Sequence, residues 1–525
     1  MNPNRVNPES TVDVSGHVLA RNTLINMAGQ IVPLLVAIAS LPYVIHHLGP
    51  DRFGLLSLAW MVVGYFALFN LGIGPATTKF VAELLGKGEI EKLPELAWTA
   101  FLTQTCFGLV AGLLLAIASP MLVARVLKIP VDLHGQAQLI FLIMSATLPI
   151  DFASGSMGGV LGASQRFDLV NAVSVPSGVL NYLLPILALA LGYGLPAIVF
   201  FLALTRLAGL LIQVVLCVRL YPSLRTRVCF NRKLVRSLLG FGGWVTVSSI
   251  AIPIFVYSER FIIGSVNSVA ALTYYTAPFM VASKTTVLAG SIAAAFFPYA
   301  SYFGLREASR VSDASLKSCK YLLLILTPVL VIFLLFSHRI LALWLGSAFA
   351  DRSAVTLQVL IAGFFLNSFA MIPYTSVQAL GRPDLKAKLD VAGVPFYLLT
   401  CWLLVAHFGI VGAAWAKLII TVIDTVALFL MAHRIGGLLV DGLAFRQTMR
   451  ATALAGALVI SAFAVQFLHF SLPFRILATG FLLFTYAAFH ARVAMEHGEF
   501  RSALGVLQRW GNPMAAGAGA AGSDE

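Results

Sequence analysis

Long apolar runs separated by short polar segments fill most of this chain. A membrane-spanning helix needs about 20 mostly apolar residues, and fourteen segments of the sequence meet this requirement. The eleventh is short, and a tight turn at Phe408-Gly409 separates it from the twelfth. The pattern predicts an all-α membrane protein whose spans have these approximate cores: 22–45, 53–72, 96–119, 138–160, 170–191, 195–218, 241–264, 270–299, 321–345, 355–380, 391–408, 410–433, 451–470 and 475–492.

The composition agrees with a chain that is solvated mainly by lipid. Of the 525 residues, 59% are hydrophobic and only 11% are charged, whereas soluble domains carry about 25% charged residues. A very large soluble core is excluded because a single hydrophobic core stops growing at about 250–300 residues. The five cysteines form no CxxC pair and no cluster with histidine. We therefore expect no disulfide framework, no metal site and no cofactor.

The net charge of +13 would favour nucleic-acid binding in a soluble protein, but here it predicts orientation. If the N-terminus is cytoplasmic, 25 of the 35 Lys and Arg residues fall on the cytoplasmic side, six on the opposite side and four inside spans. This count places Lys320 and Lys386 in cytoplasmic loops. Because cytoplasmic loops of membrane proteins are rich in Lys and Arg, the bias predicts cytoplasmic N- and C-termini, and no nucleic-acid partner is expected.

Two halves of the sequence resemble each other at a nearly constant offset. Around the loop after the second span, Ala82, Gly86 and Glu89 match Ala300, Gly304 and Glu307 at an offset of 218. A second loop agrees at 219, and in a third loop GYGLPA from Gly192 resembles HFGIVGA from His407. Six spans in each copy imply parallel repeats related by a pseudo-two-fold axis along the membrane normal. The predicted segments are a cytoplasmic tail (1–20), an N-terminal six-helix bundle (21–220), a basic cytoplasmic linker (221–240), a C-terminal six-helix bundle (241–434), two additional spans (450–492) and a partly disordered cytoplasmic tail (493–525).

Ionisable residues inside the spans are few, and such residues normally face protein or water because burial in lipid costs at least about 2.5–3.5 kcal/mol each. One interpretation is a water-filled cavity whose net positive charge suits a diphosphate. The other is pairing: Lys417 and Asp424 are too far apart along one helix to bond directly, but either could pair across helices. Glu259 and Arg260, near the outer surface, could instead snorkel. The candidate cavity cations are Lys284, Arg206, Arg260 and Lys417, and the candidate ion-coupling acids are Asp424, Glu259 and Asp151.

Uncharged polar and aromatic residues in the predicted spans add weaker indications of function. Asn22, Asn26 and Gln30 recur every four residues along the first span, which fits either a cavity lining or a hydrogen-bonded seam between helices. The pair Tyr274-Tyr275 near an outer helix end is more typical of an interfacial aromatic belt than of a sugar platform. The sequence contains no P-loop, HExxH or GxSxG motif, so enzyme activity is not expected. The energy for transport would come from a gradient or from the substrate's own concentration difference.

Several motifs resemble a known family. The segment Arg21 to Trp60 resembles the start of bacterial polysaccharide or O-antigen flippases, members of the multidrug/oligosaccharidyl-lipid/polysaccharide exporter superfamily. Its distinctive parts are Leu41-Pro42 and the turn LGPDRFG from Leu48; NLGIGPATTKFVAE from Asn70 and GRPDLKAKLD from Gly381 also fit. The resemblance extends over the first twelve spans.

The resemblance implies a flippase for polyisoprenyl-diphosphate-linked oligosaccharide, acting by alternating access in the bacterial inner membrane during surface polysaccharide biosynthesis. Its partners would be this lipid-linked substrate, membrane lipids and, in one version, a polysaccharide polymerase. Two alternatives stay open at this point. One is an ion-coupled multidrug exporter of the same superfamily, although the cavity cations disfavour a cationic drug. The other is a membrane glycosyltransferase or polymerase, although the outer loops are too short for a catalytic domain.

Overall fold

This computed structural model describes residues 16–66, 73–164, 166–226, 228–303, 307–436, 442–467 and 471–493. These ranges form helices joined by short turns and contain no strand, so the all-α prediction is confirmed. Ten of the described helices are long and apolar enough to cross a membrane. The helices are α1 (Gly16–Phe66), α2 (Ile73–Gly86), α3 (Leu93–Met121), α4 (His134–Ala163), α5 (Phe167–Ala190), α6 (Leu195–Leu220), α7 (Ser223–Thr226), α8 (Arg232–Val266), α9 (Val269–Ser283), α10 (Thr286–Phe303), α11 (Ala308–Leu345), α12 (Ser347–Ala379), α13 (Pro383–Ile435), α14 (Leu443–Phe467) and α15 (Leu472–Val493).

Two of the long helices each contain one residue with a non-helical backbone. In α1 this residue is Gly49, with φ 74°, and in α13 it is Gly409, with φ 59°. Glycine tolerates positive φ because it has no Cβ. The two glycines therefore divide α1 between the first two predicted spans and α13 between the eleventh and twelfth.

The eighth predicted span is not one continuous helix. Helix α9 ends at Ser283 and α10 begins at Thr286, so Lys284 and Thr285 form a turn between them. The backbone N–H groups of both turn residues still donate to carbonyls three residues earlier, Val281 and Ala282. The prediction that Lys284 lies within a regular helix is therefore wrong, and Lys284 instead occupies a break near the middle of the span.

The ninth span also differs from its prediction. Helix α11 begins at Ala308, well before the predicted core at 321. Lys320 therefore lies inside this helix, and its side chain is fully buried. Its placement in a solvated cytoplasmic loop is wrong, although the helix itself was predicted.

By packing, the described chain divides into two compact units. The first unit comprises Met1–Ala277 with Asp390–Ala413, and the second comprises Pro278–Leu389 with Ala414–Glu525. This division groups α8, most of α9 and the middle of α13 with the first six spans. The two six-helix bundles stay a prediction about the sequence repeat.

Close packing of α3 against α4 forms part of the core of the first unit. A Cβ added at Gly112 would lie 2.3 Å from the Ser145 carbonyl oxygen, and one at Gly108 would lie 2.5 Å from the Pro149 Cα. Small residues four apart allow membrane helices to approach this closely. The Gly108-x-x-x-Gly112 spacing thus explains why the two helices pack along their length.

In the second unit, α14 and α15 pack against α11. Thr448 on α14 donates a 3.1 Å hydrogen bond to the Leu316 carbonyl oxygen, and Tyr486 on α15 donates a 2.9 Å bond to the Leu323 carbonyl oxygen. The opposite face of α15 exposes large apolar side chains, including Phe481 and Phe484. An exposed apolar face of this kind suits contact with lipid.

Candidate functional site

Arg206 and Asp151 form an ion pair inside the first unit. The Arg206 guanidinium on α6 donates to the Asp151 carboxylate on α4 over 2.5 Å. Both side chains remain partly accessible, at 26% and 25% of their full exposure. Because both lie near the middle of spanning helices, where lipid contact with charge is costly, the accessible part fits an aqueous space rather than hydrocarbon.

Glu259 lies in the same unit in a very different environment. Its side chain is fully buried, and the Tyr397 hydroxyl donates a hydrogen bond to Glu259 Oε2. The snorkelling alternative for Glu259 is therefore wrong. Tyr275 is also fully buried and close enough to act electrostatically on Glu259, so the interfacial-belt prediction is wrong for Tyr275. A buried carboxylate among hydroxyl donors is suited to holding a proton or a small cation.

Arg260 follows Glu259 on α8, but its side chain lies near the aromatic ring of Tyr257. Its guanidinium lies 5.7 Å from the ring centroid of Tyr257, and its charge acts on the Tyr182 hydroxyl. Aromatic faces attract cations at such distances. Arg260 therefore sits among aromatic side chains that belong to the first unit.

Asp424 in the second unit pairs across the α13 hairpin. Lys386 Nζ lies 2.8 Å from Asp424 Oδ1, with side-chain exposures of 18% and 24%. The sequence left open whether Asp424 faces a cavity or pairs across helices. The structure shows a cross-helix pair, and the partner Lys386 had been assigned to a cytoplasmic loop. Lys417 is half-buried on the same helix.

Lys284 differs from the other predicted cations because it is exposed. Its side chain makes no hydrogen bond or ion pair with any other residue that the structure describes, and it projects from the turn between α9 and α10. Broken helices commonly form substrate sites near the bilayer midplane of transporters. Lys284 is therefore the predicted site residue whose charge is most available to a ligand.

The polar stripe of the first span cannot be placed in the same way. The side chains of Asn22, Asn26 and Gln30 lie outside the described part of the structure. The backbone of these residues belongs to α1. Their role in lining a cavity stays a prediction.

A buried polar cluster in the second unit was missed by sequence reasoning. Lys320 Nζ on α11 donates a 3.1 Å hydrogen bond to Gln447 Oε1 on α14. His490 on α15 is fully buried and lies within electrostatic range of the Lys320 ammonium. No local signal could have found this cluster, because its members come from three helices that are distant in sequence.

The two halves of the sequence share a local structure at one turn. Arg166 Nη2 lies 2.9 Å from Asp168 Oδ2 at the start of α5, and Arg382 Nε lies 3.0 Å from Asp384 Oδ1 at the start of α13. Hydrogen bonding to the aspartate raises the pKa of Arg166 and of Arg382. The Arg-x-Asp motif thus supports the predicted repeat at the level of individual side chains.

The fold and these membrane-depth charges define the class of protein. The chain is a multi-pass α-helical membrane protein of the fold seen in transporters of the MOP superfamily. A structure titled "Lipid II flippase MurJ, inward closed conformation" matches with a TM-score of 0.71 at 12% identity, covering 90% of this chain and 99% of that one. An inward-facing multidrug resistance MATE family transporter matches with a TM-score of 0.65 at 17% identity, covering 80% of this chain and 98% of that one.

Sequence comparison places the chain within one family of this class. Residues 19–303 match the family described as "Polysaccharide biosynthesis protein". A Shigella flexneri protein named "Putative O-antigen transporter" is 30% identical over 422 residues, which is 78% of this chain and 96% of that protein. The chain belongs to the polysaccharide biosynthesis protein family, and the resemblance read from its motifs is confirmed.

Proposed function

We propose that this chain is a flippase that moves polyisoprenyl-diphosphate-linked oligosaccharide from the cytoplasmic to the outer leaflet of the bacterial inner membrane. Family membership supports the polysaccharide pathway, and the O-antigen transporter name of the Shigella relative supports transport rather than catalysis. The lipid II flippase fold match is consistent with a lipid-linked cargo. Alternating access would expose the cargo site to each leaflet in turn.

The observation that carries this proposal is the exposed Lys284 at the break between α9 and α10. An ammonium at the middle of a spanning segment is costly unless it meets water or an anion. A diphosphate carries the charge that would compensate Lys284 during transport. Lys417, in the same unit as Lys284, is proposed as a further diphosphate contact, and Arg260 stays a separate candidate within the first unit.

Reconstitution into liposomes tests the proposal directly. A labelled polyisoprenyl-diphosphate oligosaccharide in one leaflet should reach the other leaflet only when the protein is present. We expect Lys284→Gln to lower the initial rate about tenfold, since hydrogen bonds to charged groups contribute about 1.5–3 kcal/mol. Lys284→Arg should retain most of the rate.

The matched control is Lys388→Gln, which removes an exposed lysine of the same unit that pairs with Asp384 one helical turn away. This variant should transport at the wild-type rate. Unchanged transport by Lys284→Gln would remove Lys284 from the site. Movement of a cationic dye in place of the lipid would support the multidrug-exporter alternative.

Coupling to protons or another cation is proposed at Glu259, which is fully buried and accepts a hydrogen bond from the Tyr397 hydroxyl. Asp151 and Asp424, which pair with Arg206 and Lys386, are further candidates. We expect an imposed pH or ion gradient to raise the initial rate of the wild type, and Glu259→Gln to abolish that increase while leaving gradient-independent exchange. A gradient response that survives Glu259→Gln would place the coupling group elsewhere.

A further inference from the structure

We infer that Trp60, Tyr182 and the Arg206–Asp151 ion pair form a sugar-binding platform within the first unit. This inference rests on the proposed function and names which part of the cargo the platform contacts. It assigns Arg206 to the sugar rather than to the diphosphate.

The platform begins with two aromatic rings. Trp60 on α1 lies with its ring centroid 6.0 Å from that of Tyr182 on α5, and the two planes are inclined by 64°. Both side chains are half-buried. Inclined aromatic faces present an apolar surface, and the C–H face of a pyranose ring packs well on such a surface.

Arg206 of the ion pair lies close to Trp60, one of these two rings. Arg206, Trp60 and Thr147 line one small cavity of about 10 Å³, which is near the lower limit for one water molecule. The side chain of Thr147 donates to the Met144 carbonyl oxygen over 2.7 Å, so its hydroxyl oxygen can still accept. Three residues with polar groups, Trp60, Thr147 and Arg206, therefore line a single small volume together with apolar side chains.

Trp60 also has an unused hydrogen-bond donor. Its indole Nε1 is buried and has no hydrogen-bond partner among the residues that the structure describes. Buried tryptophan N–H groups usually find a partner, and leaving a buried donor unpaired costs about 1–3 kcal/mol. A water or a ligand hydroxyl at the small cavity would satisfy it.

The charge balance favours a hydroxyl-rich ligand over an anion. Arg206 is neutralised by Asp151 at 2.5 Å, so the pair offers little net charge to a diphosphate. It does offer a planar set of donors beside carboxylate acceptors. Neighbouring hydroxyls of a sugar need both kinds of group, and about a quarter of each side chain remains accessible to supply them.

A binding experiment with two lipids separates sugar recognition from lipid recognition. Purified full-length protein in detergent is titrated with labelled polyisoprenyl-diphosphate oligosaccharide and, separately, with the sugar-free polyisoprenyl diphosphate. Loss of an aromatic contact and one hydrogen bond corresponds to a dissociation constant that is about tenfold higher. We expect Trp60→Leu to weaken binding of the oligosaccharide lipid by this factor and to change binding of the sugar-free lipid less than about twofold.

Asp151→Asn provides an independent signature. Removing the carboxylate leaves Arg206 with an uncompensated positive charge. The variant should bind the sugar-free diphosphate more tightly than the wild type does and the oligosaccharide lipid more weakly. A purely structural role would weaken both.

Trp402→Leu is the matched control, because Trp402 belongs to the same unit and its side chain is exposed. This variant should bind both lipids like the wild type. Trp60→Phe, which keeps an aromatic face, should bind the oligosaccharide lipid better than Trp60→Leu does and guards against misfolding of the smaller variant. Equal effects of Trp60→Leu on both lipids, or none on either, would overturn the platform. A wild type that binds neither lipid would instead overturn the proposed function.

Discussion

At the scale of single residues, the environment of each charge differs sharply from what its neighbours in sequence suggest. Lys320 follows a polar, basic stretch that reads as a cytoplasmic loop, yet it is fully buried and donates to Gln447. Glu259 is also fully buried, whereas Lys284 is exposed at a helix break. Desolvating a charge is costly unless polar groups compensate it, so each buried position requires partners from distant helices.

The Lys320–Gln447 contact leads to a stability prediction. Gln447→Leu should destabilise the protein by about 1–3 kcal/mol, because it removes an acceptor from a buried ammonium. Lys320→Met should cost less, since an apolar side chain of similar length needs no such acceptor. Unfolding midpoints of the purified protein in detergent measure both changes. A larger loss for Lys320→Met than for Gln447→Leu would contradict the prediction.

At the scale of helices, glycines determine how closely segments of the first unit approach. A Cβ added at Gly54 on α1 would lie 2.0 Å from the Val269 carbonyl oxygen at the start of α9. Thr273 on α9 donates a 2.6 Å hydrogen bond to the Pro50 carbonyl oxygen, and Lys128 donates to the Val266 carbonyl oxygen. The end of α8, the start of α9 and the second part of α1 therefore meet at one end of this unit, the outer end in the predicted orientation.

Gly54→Ala tests this contact. The added methyl group cannot fit against backbone, so we expect the variant to lose about 1–3 kcal/mol of stability and to transport more slowly. Gly158→Ala is the matched control, because a Cβ there meets nothing within 4 Å and alanine favours helix by about 0.5–1 kcal/mol. Thermal unfolding and liposome transport should separate the two variants; equal behaviour would show that the approach at Gly54 is not limiting.

At the scale of the whole molecule, the distribution of basic residues predicts how the chain sits in the membrane. Cys229 lies in the basic linker between α7 and α8 and is exposed. Val131, in the segment between α3 and α4, is exposed on the side predicted to face outward. The two positions therefore report on opposite faces of the membrane.

Labelling with a membrane-impermeant maleimide checks the orientation. In a variant that retains only Cys229, we expect labelling in inside-out vesicles and none in intact spheroplasts, since the positive-inside bias places the linker in the cytoplasm. A variant whose single cysteine is Val131→Cys should give the reverse pattern. Labelling of Cys229 in sealed spheroplasts would invert the predicted topology.

Much of the architecture could be predicted because membrane insertion is governed by local hydropathy. The long apolar segments, the short loops and the tight turn at Gly409 all follow from neighbouring residues, and the family was recognisable from motifs around Leu41-Pro42 and Leu48. Helix ends and interruptions were less accessible. The break at Lys284 carries no proline or glycine, so nothing in the local pattern distinguishes it from a regular helix.

The amino-acid sequence by itself determined that this protein is an all-α, multi-pass membrane protein and which family it belongs to. These properties depend on transfer free energies and motifs that are summed along a short stretch of chain. Only the tertiary structure decided that Arg206 pairs with Asp151, that Lys386 pairs with Asp424 and that Glu259 is buried beside Tyr397. The state and availability of a charge depend on groups brought within a few ångströms by packing, and those groups lie tens to more than a hundred residues away along the chain.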